Sequence, residues 1–197
     1  MSRLDSGDRR TLLEIARRAI TQGVATSKAL ELDAPTGALS EPAGAFVTLR
    51  RERQLRGCIG RLVSNEPLAQ VVAYAARSAA LEDPRFEPVR GEEVAALEIE
   101  ISVLSPFEEV TAVQVIAGTH GLMVQRGLFR GLLLPQVAAE YHWNAQRFLE
   151  ETCTKAGLPR DAWRDPDTHI FAFTAEIFSE RDIAEIKNGA ESHSAPQ

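Results

Sequence analysis

The chain has 197 residues, 44% hydrophobic and 25% charged, an ordinary globular composition that suits one domain or two closely packed subdomains. With 28 acidic against 22 basic residues the formal charge is −6, which speaks against the basic surface that nucleic-acid binding uses. Cys58 and Cys153 stand too far apart to suggest a disulfide framework, the stretch Met1–Asp8 does not read as a signal peptide, and no run approaches the ~20 apolar residues of a membrane span, so a cytoplasmic protein with free thiols is expected.

Residues 8–22 carry Leu12, Leu13, Ile15, Ala16, Ala19 and Ile20 at helical spacing, with Ser6 or Asp8 as cap. Pro35, Gly37, Pro42 and Gly44 mark 31–44 as a loop or as the seam between subdomains. Ala45–Leu49 and Leu55–Gly60 read as a hairpin about the polar turn Arg51-Glu52-Arg53-Gln54. A helix follows, with Asn65 as cap, Pro67 in its first turn and an alanine-rich face that suits close packing on a sheet. The prolines of Asp83-Pro84-Arg85-Phe86-Glu87-Pro88 impose a loop. Leu97–Leu104 alternates as a strand, with Glu98, Glu100 and Ser102 on its polar face. Gly121–Gln125 and Phe129–Leu134 read as two more strands, Pro135 opens a helical stretch, and Asn144 caps a helix that ends at Gly157 and Pro159. A last strand spans 170–178, and the polar tail 187–197 is expected to be disordered. Hairpins and helices without strict alternation predict an α+β fold, with a mainly antiparallel sheet packed by helices over 8–186.

No phosphate-cradling glycine loop, dinucleotide fingerprint, Cys-x-x-Cys pair, cysteine triplet or Gly-x-Ser-x-Gly elbow is present, so the sequence announces no cofactor and no metal site. Chemistry concentrates instead in Leu55-Arg56-Gly57-Cys58-Ile59-Gly60. On a regular strand Arg56, Cys58 and Gly60 share one face, with Arg56 and Cys58 about 7 Å apart at the backbone, a range at which a guanidinium favours the thiolate. Gly57 and Gly60 would bare backbone to a ligand beside the sulfur. The plainer alternative is a buried cysteine acting as a small hydrophobe, which is also the expectation for Cys153 on an apolar helix face. Glu100, if its face of the sheet is covered, needs a partner such as Arg56 or Arg85. His120, between glycines in a turn, is a candidate proton carrier. Asp83 and Arg85 sit on a stiff loop that suits binding, or that forms a self-contained Asp–Arg turn with Phe86 as a hydrophobic plug. The arginines at 50, 51, 53, 56 and 61 read as a solvated hairpin tip, with an anion-binding patch as the alternative.

In order along the chain, Gly44-Ala45-Phe46-Val47-Thr48-Leu49, the hexapeptide Leu55–Gly60, Asp83-Pro84-Arg85-Phe86, Glu98–Ser105, His120-Gly121-Leu122, Leu134–Ala138, Trp143 and Lys155-Ala156-Gly157-Leu158 resemble the AMMECR domain family from about residue 10 to 180. The resemblance implies an α+β fold of two subdomains. It also implies a setting beside Memo-type and radical-SAM proteins, as the first component of the AmmeMemoRadiSam system, and it draws Arg56, Cys58 and the Asp83–Phe86 loop into one site. It names no reaction. Two expectations follow. One is a thiol-dependent enzyme with Cys58 as nucleophile, His120 or Glu100 moving protons, and Arg56, Gly57, Gly60, Asp83, Arg85 and Ser102 binding substrate. The other is a binding or scaffold module that docks a partner protein, a peptide or a small anionic ligand.

Overall fold

A computed structural model describes residues 4–182, which divide between two compact units, 4–103 with 176–182, and Leu104–Ala175. In the first unit α1 (Ser6–Thr26) and α2 (Leu68–Leu81) accompany a sheet of β1 (Ala45–Arg51), β2 (Gln54–Arg61), β3 (Glu98–Leu104) and β8 (Ala175–Ser179). Its strand order is β2-β1-β3-β8, and β1 runs antiparallel to both β2 and β3. Alternation along β1 sends Ala45, Val47 and Leu49 into a core shared with Leu12, Ala16, Ile20, Val71, Val72 and Ala75 of the helices. The small side chains of α2 let it lie on β2 backbone to backbone: a β-carbon at Gly57 would stand 2.1 Å from the Ala79 carbonyl oxygen.

The second unit holds β4 (Glu108–Glu109), β5 (Gly121–Arg126), β6 (Phe129–Leu133) and β7 (His169–Phe173) in the order β4-β7-β5-β6, with every pairing antiparallel. It also holds α3 (Pro135–Glu140) and α4 (Ala145–Lys155). The Asn144 side chain caps α4 by accepting the Arg147 N–H at 2.8 Å, and Phe148, Leu149 and Cys153 face inward with Leu122, Val124 and Ile170.

The α+β class with antiparallel sheets is as the sequence predicts, and four details differ. The cap of α1 is Asp5, in a reciprocal box with Asp8, rather than Ser6 or Asp8 itself. Asn65 caps nothing: α2 begins at Leu68, whose N–H donates to the Glu41 carbonyl. The segment 31–44 lies inside the first unit, and the chain divides at Val103/Leu104 and Ala175/Glu176 instead. The expected last strand over 170–178 is two strands, β7 and β8, one in each sheet, so there are two four-stranded sheets rather than one. The tail expected from Lys187 lies outside the described residues. Among the described residues no helix is long and apolar enough to cross a membrane.

Candidate functional site

The register of the first sheet sets Cys58 of β2 opposite Thr48 of β1, and Thr48 opposite Glu100 of β3. The three side chains form one row across three strands, on the face turned away from Val47 and Leu49. The Thr48 hydroxyl donates to the Cys58 sulfur at 3.4 Å. Cys58 and Glu100 are half-buried, while Thr48 is buried. The next row holds Gly60, Phe46 and Ser102, and Ser102 is only 3% exposed.

The backbone of Cys58 is clamped from outside the sheet. Because β2 is an edge strand, the outward N–H and C=O of Cys58 have no neighbouring strand. Its N–H donates to Asp83 Oδ2 at 2.8 Å, and its carbonyl accepts from Arg85 Nη2 at 3.3 Å. The two clamping residues also hold each other, with Arg85 Nε and Nη2 donating to the Asp83 carboxylate at 2.9 and 2.7 Å. The Asp83 side chain is 2% exposed. Hydrogen bonds from Arg85 hold its carboxyl far below the usual range, against the opposing effect of burial and with help from the Cys58 N–H. The Arg85 pKa is raised, first by the Asp83 hydrogen bond.

That role was expected of Arg56, and the structure places Arg56 elsewhere. A bulge pairs Leu49 with Gly57 and Arg50 with Leu55, leaving Arg56 as the extra residue. Its Nε and Nη2 donate to the two oxygens of Glu93, each at 3.1 Å, and its Nη1 donates to the Glu87 carbonyl at 2.8 Å. Hydrogen bonds from Arg56 are the main reason that the Glu93 pKa falls to about 2. Gly57 and Gly60 do not bare backbone to a ligand on their Cα side. Gly57 is closed by Ala79, and the Phe46 ring lies over Gly60, 2.5 Å from where a β-carbon would be. Glu100 forms no ion pair with Arg56 or Arg85, since both guanidinium groups are held by Glu93 and Asp83.

His120 belongs to the second unit. Its Nδ1 accepts the Ile116 N–H at 3.2 Å, which leaves the neutral ring's proton on Nε2. Cys153 is fully buried, and burial pushes its thiol pKa up. Among the described residues, no group of three or more His, Cys, Asp or Glu is arranged to hold a metal ion. Sequence reasoning missed Thr48, and it read Arg50 only as one of the hairpin-tip arginines, with an anion-binding patch as the alternative. The signal was available in the alternation of Phe46, Thr48 and Arg50 along β1, which puts them on the face that carries Cys58.

The AMMECR1 family profile matches residues 13–178. A protein of Thermococcus gammatolerans is 45% identical over 181 residues, which cover 86% of this chain and 88% of that one. A protein of Methanothermobacter thermautotrophicus is 44% identical over 185 residues, 90% of this chain and 96% of its own. The crystal structure of the uncharacterized protein PH0010 from Pyrococcus horikoshii is similar with a TM-score of 0.76 at 43% identity, over 86% of this chain and 90% of that one. A match across both units, together with relatives similar over nearly their whole length, means that this chain belongs to the AMMECR1 family.

Proposed function

We propose that Cys58 is the nucleophile of a thiol-dependent site on the outer face of the first sheet. Arg85 is the cation beside its sulfur, and Glu100 is a proton acceptor for a substrate lying across the row. The observation that carries this reading is the clamp: one ion pair with a nearly wholly buried carboxylate holds both backbone groups of Cys58 and so sets a guanidinium on the peptide that bears the thiol. Glu100 lies two strand spacings from Cys58, about 9.6 Å, so it serves the substrate rather than the sulfur directly. The family resemblance supports a setting in which this site works with Memo-type and radical-SAM proteins. A second reading, a binding module for a partner or a small anionic ligand, is favoured by one feature. Among the described residues the side-chain hydrogen bond at the sulfur comes from a hydroxyl, and no carboxylate or imidazole reaches it.

The rate of alkylation by iodoacetamide, followed against pH in the wild type, Cys58→Ser and Cys153→Ser, separates the readings. Fast modification of the folded protein that disappears in Cys58→Ser, persists in Cys153→Ser and slows in Arg85→Gln supports the nucleophile. A Cys58 that stays inert until the protein unfolds ends the thiol reading, and the binding module then stands alone.

A further inference from the structure

The face that carries Cys58 also carries a guanidinium without a counter-ion. Arg50 follows Thr48 by two residues on β1, so it points to the same side of the sheet, with Leu49 between them in the core. It is half-buried. Directly opposite it on β3 stands Glu98, yet the carboxylate of Glu98 is bonded to Arg181. Glu93 is engaged by Arg51 and Arg56, and Asp83 by Arg85. Among the described residues nothing forms an ion pair or side-chain hydrogen bond with Arg50, and the same holds for Glu100, one row away. Two opposite charges thus share a half-buried face without neutralising each other. Each loses part of its hydration there, and a ligand of suitable charge would restore it.

We infer that Arg50 anchors the anionic group of the substrate, which makes the substrate class of this site a compact carboxylate or similar small anion. The inference rests on the reading that Cys58 is the reactive group. Rows on a strand are about 6.8 Å apart for every second residue. The anionic group therefore sits within roughly 7 Å of the Cys58–Thr48–Glu100 row, and the rest of the molecule lies along that row. Glu100 repels a second negative charge at the far end and accepts a hydrogen bond from a hydroxyl or amine there. The ligand is thus polar at both ends, with its electrophilic carbon over the sulfur. Arg50 is a specificity-determining residue in this arrangement, distinct from Arg85, whose guanidinium is committed to the Asp83 carboxylate and the Cys58 peptide.

Two alkylating probes of the same leaving group, anionic iodoacetate and neutral iodoacetamide, test this directly at Cys58. In both, the thiolate sulfur displaces iodide, so the ratio of the two rates cancels the thiolate fraction and reports the charge felt by the reagent. In Arg50→Gln the iodoacetate-to-iodoacetamide ratio is expected to fall roughly threefold to tenfold, the effect of one unit charge at this range in a partly screened setting. In Glu100→Gln the ratio is expected to rise. Arg53→Gln, which removes the same charge from the exposed hairpin tip, is expected to leave it unchanged. A reactive Cys58 whose ratio is the same in Arg50→Gln and wild type, or falls equally in Arg53→Gln, overturns the anchoring role alone. A Cys58 that resists both reagents in the folded wild type overturns the thiol reading and this inference with it.

Discussion

Glu93 and Asp83 are two carboxylates that each hold an arginine near the hexapeptide, and both titrate far from their ordinary values for reasons visible in the structure. Glu93 accepts two bonds from Arg56, one from Arg51 and the Arg90 N–H, which together lower its pKa from 4.5 to about 2. A carboxyl whose folded pKa is depressed stabilises the fold fully above its unfolded value and loses that contribution as pH falls toward the folded value. The Glu93 contribution is therefore complete above pH 4.5 and fades toward pH 2. Asp83 behaves in the same sense at still lower pH. Glu93→Gln is accordingly expected to melt below the wild type at neutral pH, with the gap closing between pH 4.5 and 2 in thermal melts followed by circular dichroism. A gap that stays constant across that window would mean that Glu93 acts through packing and not through its charge.

The β1–β2 hairpin joins its strands through Glu52 and Arg53, both at positive φ, 53° and 67°. A two-residue turn of this kind matches the twist of the strands but strains residues that carry a β-carbon, and Asn-Gly is the sequence that fits it best. Replacing Glu52-Arg53 by Asn-Gly is expected to stabilise the protein by about 1 kcal/mol, read as a higher midpoint in urea with an unchanged slope. Most elements were legible because they are repetitive. The alternation of Leu97–Leu104, the apolar stripe of α1 and the Asn144 cap each follow from a few neighbouring residues. What stayed hidden depends on partners far along the chain. The run 170–178 keeps an unbroken strand-like composition, and nothing local reveals that the chain changes sheets at Thr174. The bulge at Arg56 is equally silent, since its side chain is aimed by Glu93, 37 residues on. In the site, Cys58 and the Asp83 loop could be read as motifs. The alternation along β1 puts Thr48 and Arg50 on one face, but only the register shows that Thr48 stands opposite the thiol and Arg50 one row away.

At the scale of the whole chain the second unit is an insertion between two neighbouring strands of the first. β3 leads out of the first sheet and β8 returns to its other side, while Ser105 and Thr174 close the base of the insertion: the Ser105 N–H donates to the Thr174 carbonyl at 2.9 Å, and the Thr174 N–H donates to Ser105 Oγ at 2.9 Å. The first sheet therefore cannot be completed until residues on both sides of the insertion have been made, whereas the segment containing β1, β2 and the Asp83–Arg85 clamp is contiguous. That clamp has a consequence beyond chemistry. It occupies the N–H and C=O by which a second polypeptide would extend the sheet at β2, so it shields the molecule from aggregation through that border. Asp83→Ala is expected to raise the weight-average mass in light scattering as concentration increases, and to do so in the Asp83→Ala/Cys58→Ser double variant too, where no intermolecular disulfide can form at this position. Equal masses for variant and wild type across the series would mean that solubility is guarded elsewhere; a higher mass would mean that two residues flanking a proline keep the open border of the first sheet from becoming the stickiest part of the molecule.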